Sequence, residues 1–338
     1  MSTINWFPGH MAKAIKDIRD ILPRVDLIIE VLDARIPYSS SNPVIEEFRA
    51  GKPSLKVLTK SDLADPVLTA QWLAFFDAQP DVKAVAVTTE QPQLILGLGA
   101  ACRRLMAGRS DALGNITALI TGIPNVGKST LINTLAGRSI AKTGNEPAIT
   151  QGQQRIDLDN GLVLIDTPGI LWPKIHNAAS GYRLALTGAI KDTAIDHDDI
   201  VFWGVAFFFK RYPELLKQRF KLDVLPETEL EFLETVGRAR GCLTGGGRVD
   251  LHKICSVVLN EFRSATIGRI TLETPAEAES ERIVVQRILD EKQREEDEKK
   301  AARKLAFKAR TAAREARAAK DGGKGAPTPP RGSRKPGK

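Results

Sequence analysis

Eight consecutive residues, Gly122-Ile123-Pro124-Asn125-Val126-Gly127-Lys128-Ser129, fit the pattern G-x-x-x-x-G-K-[ST] at every fixed position. The chemistry this spacing serves is the holding of phosphates. Glycines let backbone N–H groups wrap phosphate oxygens, and a helix starting at the lysine adds partial positive charge. Lys128 is then placed to neutralise the β- and γ-phosphates of a nucleotide, and the Ser129 hydroxyl to coordinate Mg²⁺. Val126, Gly127 and Thr130 complete the candidate phosphate-binding set. Both flanks agree with the reading: an apolar run at 117–121 precedes the motif, and STLINTLAG at 129–137 has amphipathic helical spacing.

A second motif, Asp166-Thr167-Pro168-Gly169, closes the apolar run 162–165. A carboxylate at this place holds the Mg²⁺ shell in P-loop proteins, and the Gly169 N–H can meet the γ-phosphate. A plain strand ending in a Pro-Gly turn explains the shape, but not its pairing with a phosphate loop upstream. Between the two motifs lies a polar, Gly-rich stretch, 142–154, that contains Thr150. A threonine there can close over Mg²⁺ when triphosphate is present and relax on hydrolysis. Thr143 is nearby, so Thr150 alone decides little.

Base selection needs a different group. The N/T-K-x-D pattern supplies an aspartate that accepts from the guanine N1–H and 2-amino group, a donor pair adenine lacks; a buried carboxylate left unpaired rejects ATP. No such motif follows Asp166 in a suitable place. One lies upstream instead: Thr59-Lys60-Ser61-Asp62 at the end of the apolar run LKVLT. Asp62 would read the base and the Lys60 stem would lie along it. TKSD by itself also suits a helix N-cap. Thr88, after the next apolar run, is a third base-contacting candidate from position only. The resulting order is base site, base loop, phosphate loop, switch, DTPG: a circular permutation of the Ras-like arrangement.

These motifs require strands that end beside one another. Apolar runs at 26–32, 55–59, 82–87, 117–121 and 162–165 read as strands, with helical stretches such as 65–79 and 93–107 between them. Alternation of this kind predicts an open, mostly parallel sheet covered by helices, with ligands beyond the carboxyl ends of its strands. The fold class is therefore α/β, a P-loop Ras-like domain of permuted order over 1–178. From about residue 180 the texture turns helical, with helical spacing at 212–220, 227–240 and 250–263 and Asp250 as a plausible N-cap. A small, mainly helical domain is expected over 179–278, and a charged helix with a disordered basic tail over 279–338.

Composition narrows the setting. Of the net charge of +8, residues 287–338 carry 17 Lys/Arg against 8 Asp/Glu, leaving 32 against 33 for the remainder. The body is near neutral and the basicity belongs to the tail, which reads either as an arm for a polyanion such as nucleic acid or as a solubilising end. No apolar run approaches the ~20 residues a membrane span needs. The tail has almost no large apolar residues beyond Leu305 and Phe307, against membrane anchoring. The first ten residues lack the pattern of a signal peptide. Three widely spaced cysteines indicate neither a disulfide framework nor a zinc site, and a cytoplasmic location is the simplest expectation.

The chain resembles the circularly permuted ribosome-assembly GTPases of the YlqF/RbgA type over about residues 1–275. The resemblance rests on Trp6-Phe7-Pro8-Gly9-His10-Met11-Ala12-Lys13, Asp33-Ala34-Arg35-Ile36-Pro37, GIPNVGKS, DTPGILWPK (166–174), GGRVDLHK (246–253) and EFRSATIGRITLE (261–273). Two positions depart from it: Thr59 stands where Asn is more usual, and Ala148 where Gly is common. The first removes a side-chain amide from the base site, with some loss of affinity expected; the second stiffens the approach to Thr150. The resemblance implies a factor that binds GTP or GDP, helps mature the large ribosomal subunit, contacts rRNA and leaves after GTP hydrolysis. The helical domain would supply rRNA contacts and the tail sequence-independent phosphate contacts. A monomer is the default expectation.

The hydrolytic machinery is incomplete in one respect. Ras-type enzymes orient water with a Gln after D-x-x-G, and here that position is Ile170, which cannot polarise water. The resemblance offers His10, on a flexible N-terminal segment, as the group that orients the water when a ribosomal particle orders it. The other reading of 6–11 is a packing or RNA-contact segment. Asn125 is a family clue to K⁺: its carboxamide oxygen can ligate a monovalent cation that takes the place of an arginine finger, although Asn is also a common turn residue. The unassisted rate expected is about 10⁻³ s⁻¹ or below. Rival readings are an ATPase, which Asp62 opposes, and a non-catalytic, nucleotide-switched RNA-binding factor.

Overall fold

The computed structural model describes residues 4, 6–49, 51–107, 115–141, 154–158 and 161–321. The first part alternates helices and strands: α1 (Gly9–Ile21), β1 (Leu27–Asp33), α2 (Pro37–Ser40), α3 (Pro43–Arg49), β2 (Ser54–Thr59), α4 (Pro66–Asp77) and β3 (Val82–Ala86). It continues with α5 (Pro92–Leu96), α6 (Leu98–Met106), β4 (Ile116–Gly122), α7 (Lys128–Ala136), β5 (Gln154–Asp157) and β6 (Leu162–Asp166). Helices follow: α8 (Ala178–Leu186), α9 (His197–Arg211), α10 (Pro213–Phe220), α11 (Glu229–Ala239), α12 (Leu251–Arg263) and α13 (Pro275–Asp321).

The strands form one six-stranded sheet in the order β3-β2-β1-β4-β6-β5. All neighbours are parallel except β5, which runs antiparallel to β6 at the edge. Every residue of β1, β2 and β6 is buried, which is why these strands read as near-continuous apolar runs rather than alternating ones. Two of the polar exceptions pair with each other: Glu30 of β1 and Lys56 of β2 form a buried ion pair. The Asn42 N–H adds a 2.9 Å bond to the Glu30 carboxylate. Strand β5 was not among the expected strands. Its sequence is QRID, and only Ile156 faces the core; one apolar residue in a short edge strand leaves no readable alternation.

Helix boundaries follow local chemistry. Asp65 caps α4 by accepting from Val67 N (2.8 Å) and Leu68 N (3.2 Å), and Pro66 sits at the first helical position, where its missing N–H costs nothing. The helical stretch expected at 93–107 is divided at Gly97 into α5 and α6. Asp250 caps α12 by accepting from Lys253 N at 3.0 Å. The buried face of α12 carries Ile254, Cys255, Val258, Leu259 and Phe262, one side of a 3.6-residue period. Aromatic pairs knit the helices together: Phe208 lies 5.4 Å from Phe262 and Phe220 5.3 Å from Phe232, centroid to centroid.

One compact unit reaches Glu281 and holds both the sheet and the helices up to the start of α13. A second begins at Arg282, within that helix. Its described residues, 282–321, are helical and braced by i,i+4 pairs such as Lys299–Glu295 (3.4 Å) and Gln293–Asp297 (3.0 Å). No helix among the described residues is long and apolar enough to cross a membrane.

Candidate nucleotide site

Strand register brings the motifs to one edge. Asp33 pairs with Thr59 across β1 and β2, Val31 with Gly122 across β1 and β4, and Ile120 with Asp166 across β4 and β6. The carboxyl ends of four adjacent parallel strands therefore carry Asp33, the base motif, the phosphate loop and DTPG.

The phosphate loop turns between β4 and α7. Gly127 has φ +96° and leads directly into Lys128, the first residue of α7; a side chain at this φ is strained. Asn125 is also left-handed, at φ +56°, a conformation asparagine tolerates better than most residues. Its carboxamide nitrogen donates to the Gly188 carbonyl at 2.8 Å. Lys128 Nζ lies 3.0 Å from Asp166 Oδ1, and both residues are buried. Ser129 and Thr130 are half-buried in the first turn of α7, where free backbone N–H groups and the helix dipole favour an anion. Val126 is buried.

The donor set at Asp166 suits a hard cation. Oδ1 is engaged by Lys128, whereas Oδ2 is buried without a hydrogen-bond partner among the described residues. Burial raises the Asp166 carboxyl above its ordinary range, with Lys128 pulling it the other way. A buried carboxylate oxygen left unmatched at the end of a strand is what a Mg²⁺ shell satisfies. Thr150, the third candidate for that shell, and Thr143 and Ala148 near it, lie outside the described residues.

DTPG sits against the phosphate loop. A Cβ on Gly169 would stand 2.9 Å from Pro124 Cα, so only glycine permits this approach. Ile170 follows, fully buried, its N–H donating to the Gly122 carbonyl at 3.1 Å. The residue in the place of a water-orienting Gln therefore points into the core. His10 is exposed in the first turn of α1. The sequence placed it on a flexible segment; the structure places it on a helix anchored next door, where Met11 is buried and its Sδ accepts from Leu171 N at 3.4 Å.

On the other side, Thr59 substitutes its hydroxyl for an amide. Thr59 Oγ1 lies 2.5 Å from the Val126 carbonyl and 2.9 Å from that of Leu32, so its single proton links the base motif to the phosphate loop. Lys60, at φ +56°, donates from Nζ to Asn125 O at 2.7 Å and to Asp33 Oδ2 at 3.0 Å. Asp62 is half-buried and accepts no hydrogen bond from a described residue. Thr88 is buried and caps its own turn by accepting from Glu90 N at 3.2 Å. Ser61 N bonds to Val87 O at 3.3 Å, which ties the two base-loop candidates together.

Several residues in this assembly carry no signal in spacing alone. Arg269 donates to Ala64 O and Ser61 O, both at 2.9 Å, from over two hundred positions downstream. Arg263 donates to Leu186 O at 2.9 Å and Ala185 O at 3.0 Å. Both lie in the EFRSATIGRITLE segment, whose only flag in the sequence is its resemblance to a family.

The phosphate loop, Asp166, Gly169 and the TKSD segment converge on one strand edge in permuted chain order, and the chain is a P-loop GTPase of the circularly permuted kind. A family model described as a 50S ribosome-binding GTPase matches residues 117–223. "Ribosome biogenesis GTPase A" of Bacillus cereus is 45% identical over 281 residues, covering 81% of this chain and 95% of that protein. The protein of the same name from Thermotoga maritima is 32% identical over 272 residues, covering 80% and 95%. A crystal structure of GNP-bound YlqF from T. maritima superposes with a TM-score of 0.56 at 28% identity, covering 78% of this chain and 98% of that one. The chain belongs to the ribosome biogenesis GTPase A (YlqF/RbgA) family.

Proposed function

We propose that this GTPase is an assembly factor for the large ribosomal subunit that binds rRNA on a late precursor and leaves after hydrolysing GTP. The observation that carries the reading is 45% identity to a ribosome biogenesis GTPase along nearly the whole of that relative. Residues 1–178 form the GTPase segment, 179–278 contact rRNA, and 279–338 add phosphate contacts. In the helical part of that tail, residues 299–320 hold nine Lys/Arg and one Asp/Glu, a charge density that favours a polyanion. The protein works as a cytoplasmic monomer.

Asp62 accepts from the guanine edge, the Lys60 stem forms a wall of the base pocket, and Thr59 and Thr88 shape its floor. Val126, Gly127, Lys128, Ser129 and Thr130 bind the phosphates, and Gly169 N–H senses the γ-phosphate. Ser129, Asp166 and Thr150 would hold Mg²⁺, which would supply charge neutralisation to the phosphates when bound. Asn125 holds K⁺ through its amide oxygen; with the nitrogen fixed on Gly188, the direction of that oxygen is fixed too. His10 orients the attacking water once the ribosomal particle settles α1 over the site, because Ile170 cannot.

The experiment is GTP turnover in K⁺ buffer with purified large or small subunits, repeated in Na⁺. The reading expects stimulation by the large subunit alone and a higher rate in K⁺. No stimulation by either subunit removes the ribosome from the mechanism, and equal rates in the two salts remove the Asn125 role. A second reading, a non-catalytic RNA-binding factor shaped by its nucleotide, draws on the buried Ile170. It is favoured if His10→Ala leaves stimulated turnover unchanged.

A further inference from the structure

Asp33 ends β1, the strand between the base-motif strand and the phosphate-loop strand. It is 1% exposed, and an ionised carboxylate at such depth is costly unless matched on both oxygens. Asp33 is so matched. Oδ1 accepts from Arg35 N at 3.0 Å and Arg35 Nε at 2.9 Å. Oδ2 accepts from Arg35 Nη2 at 2.7 Å and from Lys60 Nζ at 3.0 Å. Burial alone would raise this carboxyl; Arg35 and Lys60 outweigh it and hold Asp33 well below the usual carboxylate range.

Each end of this pair is secured elsewhere. The Lys60 ammonium goes on to the Asn125 carbonyl of the phosphate loop at 2.7 Å. Its backbone is left-handed, a conformation a lysine keeps only where its surroundings impose it. Arg35 lies over the Phe262 ring at 5.5 Å and donates from Nη1 to Arg263 O at 3.3 Å. The Arg35 carbonyl accepts from Leu272 N at 2.8 Å. Arg263 is bonded to the end of α8, and Gly188 just beyond accepts from Asn125. A ring of contacts thus runs from Lys60 through Asp33, Arg35, Arg263 and α8 back to Asn125 and Lys60.

We infer that Asp33 is a positioning residue for guanine-nucleotide recognition, acting through Lys60: it holds the ammonium against the phosphate loop so that the lysine stem forms the wall of the base pocket. The inference rests on residues 59–62 being the base site. The competing account gives Asp33 a structural role only, as the anchor of Arg35 against α12.

A double-mutant cycle on the full chain separates the two, with fluorescent GDP titration as the readout and thermal melting as the check on folding. Asp33→Asn is expected to weaken GDP about tenfold, the effect of losing one hydrogen bond to a charged partner in a partly exposed site. Lys60→Met is expected to do the same. If Asp33 acts through Lys60, the double variant binds GDP within about twofold of Lys60→Met alone. Losses that multiply in the double variant overturn the inference in favour of the structural account. Should Asp33→Asn fail to fold, Lys60→Met still decides, because an unchanged GDP affinity would leave nothing for Asp33 to position. Asp62→Asn guards the premise: if that variant keeps its GDP affinity, the base-site reading itself falls, whatever the cycle gives.

Discussion

Replacing Gly169 by alanine is expected to separate triphosphate from diphosphate binding. An added Cβ lies 2.9 Å from Pro124 Cα and 3.0 Å from Pro124 N. Carbon pairs rest at 3.5 Å or beyond, so one of the two backbones moves by about 0.6 Å. Neither atom belongs to a flexible side chain, and neither segment has an easy way out. Pro124 is tied into the turn that ends at Gly127, and Ile170 N–H is bonded to Gly122 O. Overpacking of this kind costs about 1–3 kcal/mol. Since the Gly169 N–H is the group assigned to the γ-phosphate, the cost falls on GTP and spares GDP. At 1.4 kcal/mol per factor of ten, the ratio of GTP to GDP affinity drops about 5- to 150-fold. The assay is competition of GDP and a non-hydrolysable GTP analogue against fluorescent GDP in Mg²⁺. Gly245→Ala is the control, because nothing lies within 4 Å of a Cβ there, and both affinities should hold within twofold. Equal weakening of the two nucleotides by Gly169→Ala, or none, would refute the idea that this close approach senses the γ-phosphate.

Asp62→Asn should weaken GDP by about 10² or more and admit xanthosine diphosphate, whose 2-oxo group accepts where guanine donates. Because Asp62 accepts no hydrogen bond from a described residue, its melting temperature should stay close to that of the parent; a large drop would show a structural role. The stability gap between the parent and Asp33→Asn should be constant from pH 8 to 5 and narrow below about pH 4, since a carboxylate with a depressed folded pKa loses its contribution as acid protonates it. Urea melts across that range test this, and a gap that widens in acid contradicts it. Burial pushes the Cys102 and Cys255 thiols up to about 12, and Cys242 is buried as well. A maleimide at pH 7.5 should therefore label none of the three until the protein is unfolded, and rapid labelling of the native chain would count against this packing.

The parallel strands and the phosphate loop were legible because their signals are local. A fully buried strand such as LIIEVLD announces itself by composition, and a phosphate loop by the residue types its backbone geometry demands. Strand β5 was not legible, since an edge strand with one inward residue has no pattern to read. Gly97 divides α5 from α6 by a turn that periodicity does not distinguish from helix. The larger gap concerns residues whose work depends on distant partners. Spacing says nothing of Arg269 on the Ser61 and Ala64 carbonyls, or of Arg263 on the end of α8. Asp33 and Arg35 stood out only as a family motif, without a task, because the task is defined by Lys60 after β2 and by Phe262 and Arg263 at the end of α12.

The permuted order has a physical consequence at Gly169. The chain leaves β6 at Asp166 and enters α8 at Ala178, so the segment that meets the phosphate loop is also the lead-in to the helical region. Along that path it is held by parts from the start of the chain. Asn42 Nδ2 donates to Ile170 O at 3.1 Å, and Met11 Sδ accepts from Leu171 N at 3.4 Å. A shift at Gly169 therefore strains two attachments at once: α1, which carries His10, and the entry to α8, whose end is gripped by Arg263 and followed by the Gly188 carbonyl that holds Asn125. Two segments that look unrelated in sequence, the N-terminal WFPGHM motif and the chain just after DTPG, are in direct contact through Met11 and Leu171. Met11→Ala tests the point. It removes the thioether acceptor and leaves a cavity beside Leu171, a change that costs about 2–5 kcal/mol in a closed core. If the two segments move together, this variant should lower stimulated GTP turnover while sparing GDP affinity, because Met11 is not among the residues proposed to bind the base or the diphosphate. A loss of GDP affinity as large as the loss of turnover would instead mean that α1 merely supports the fold of the whole pocket.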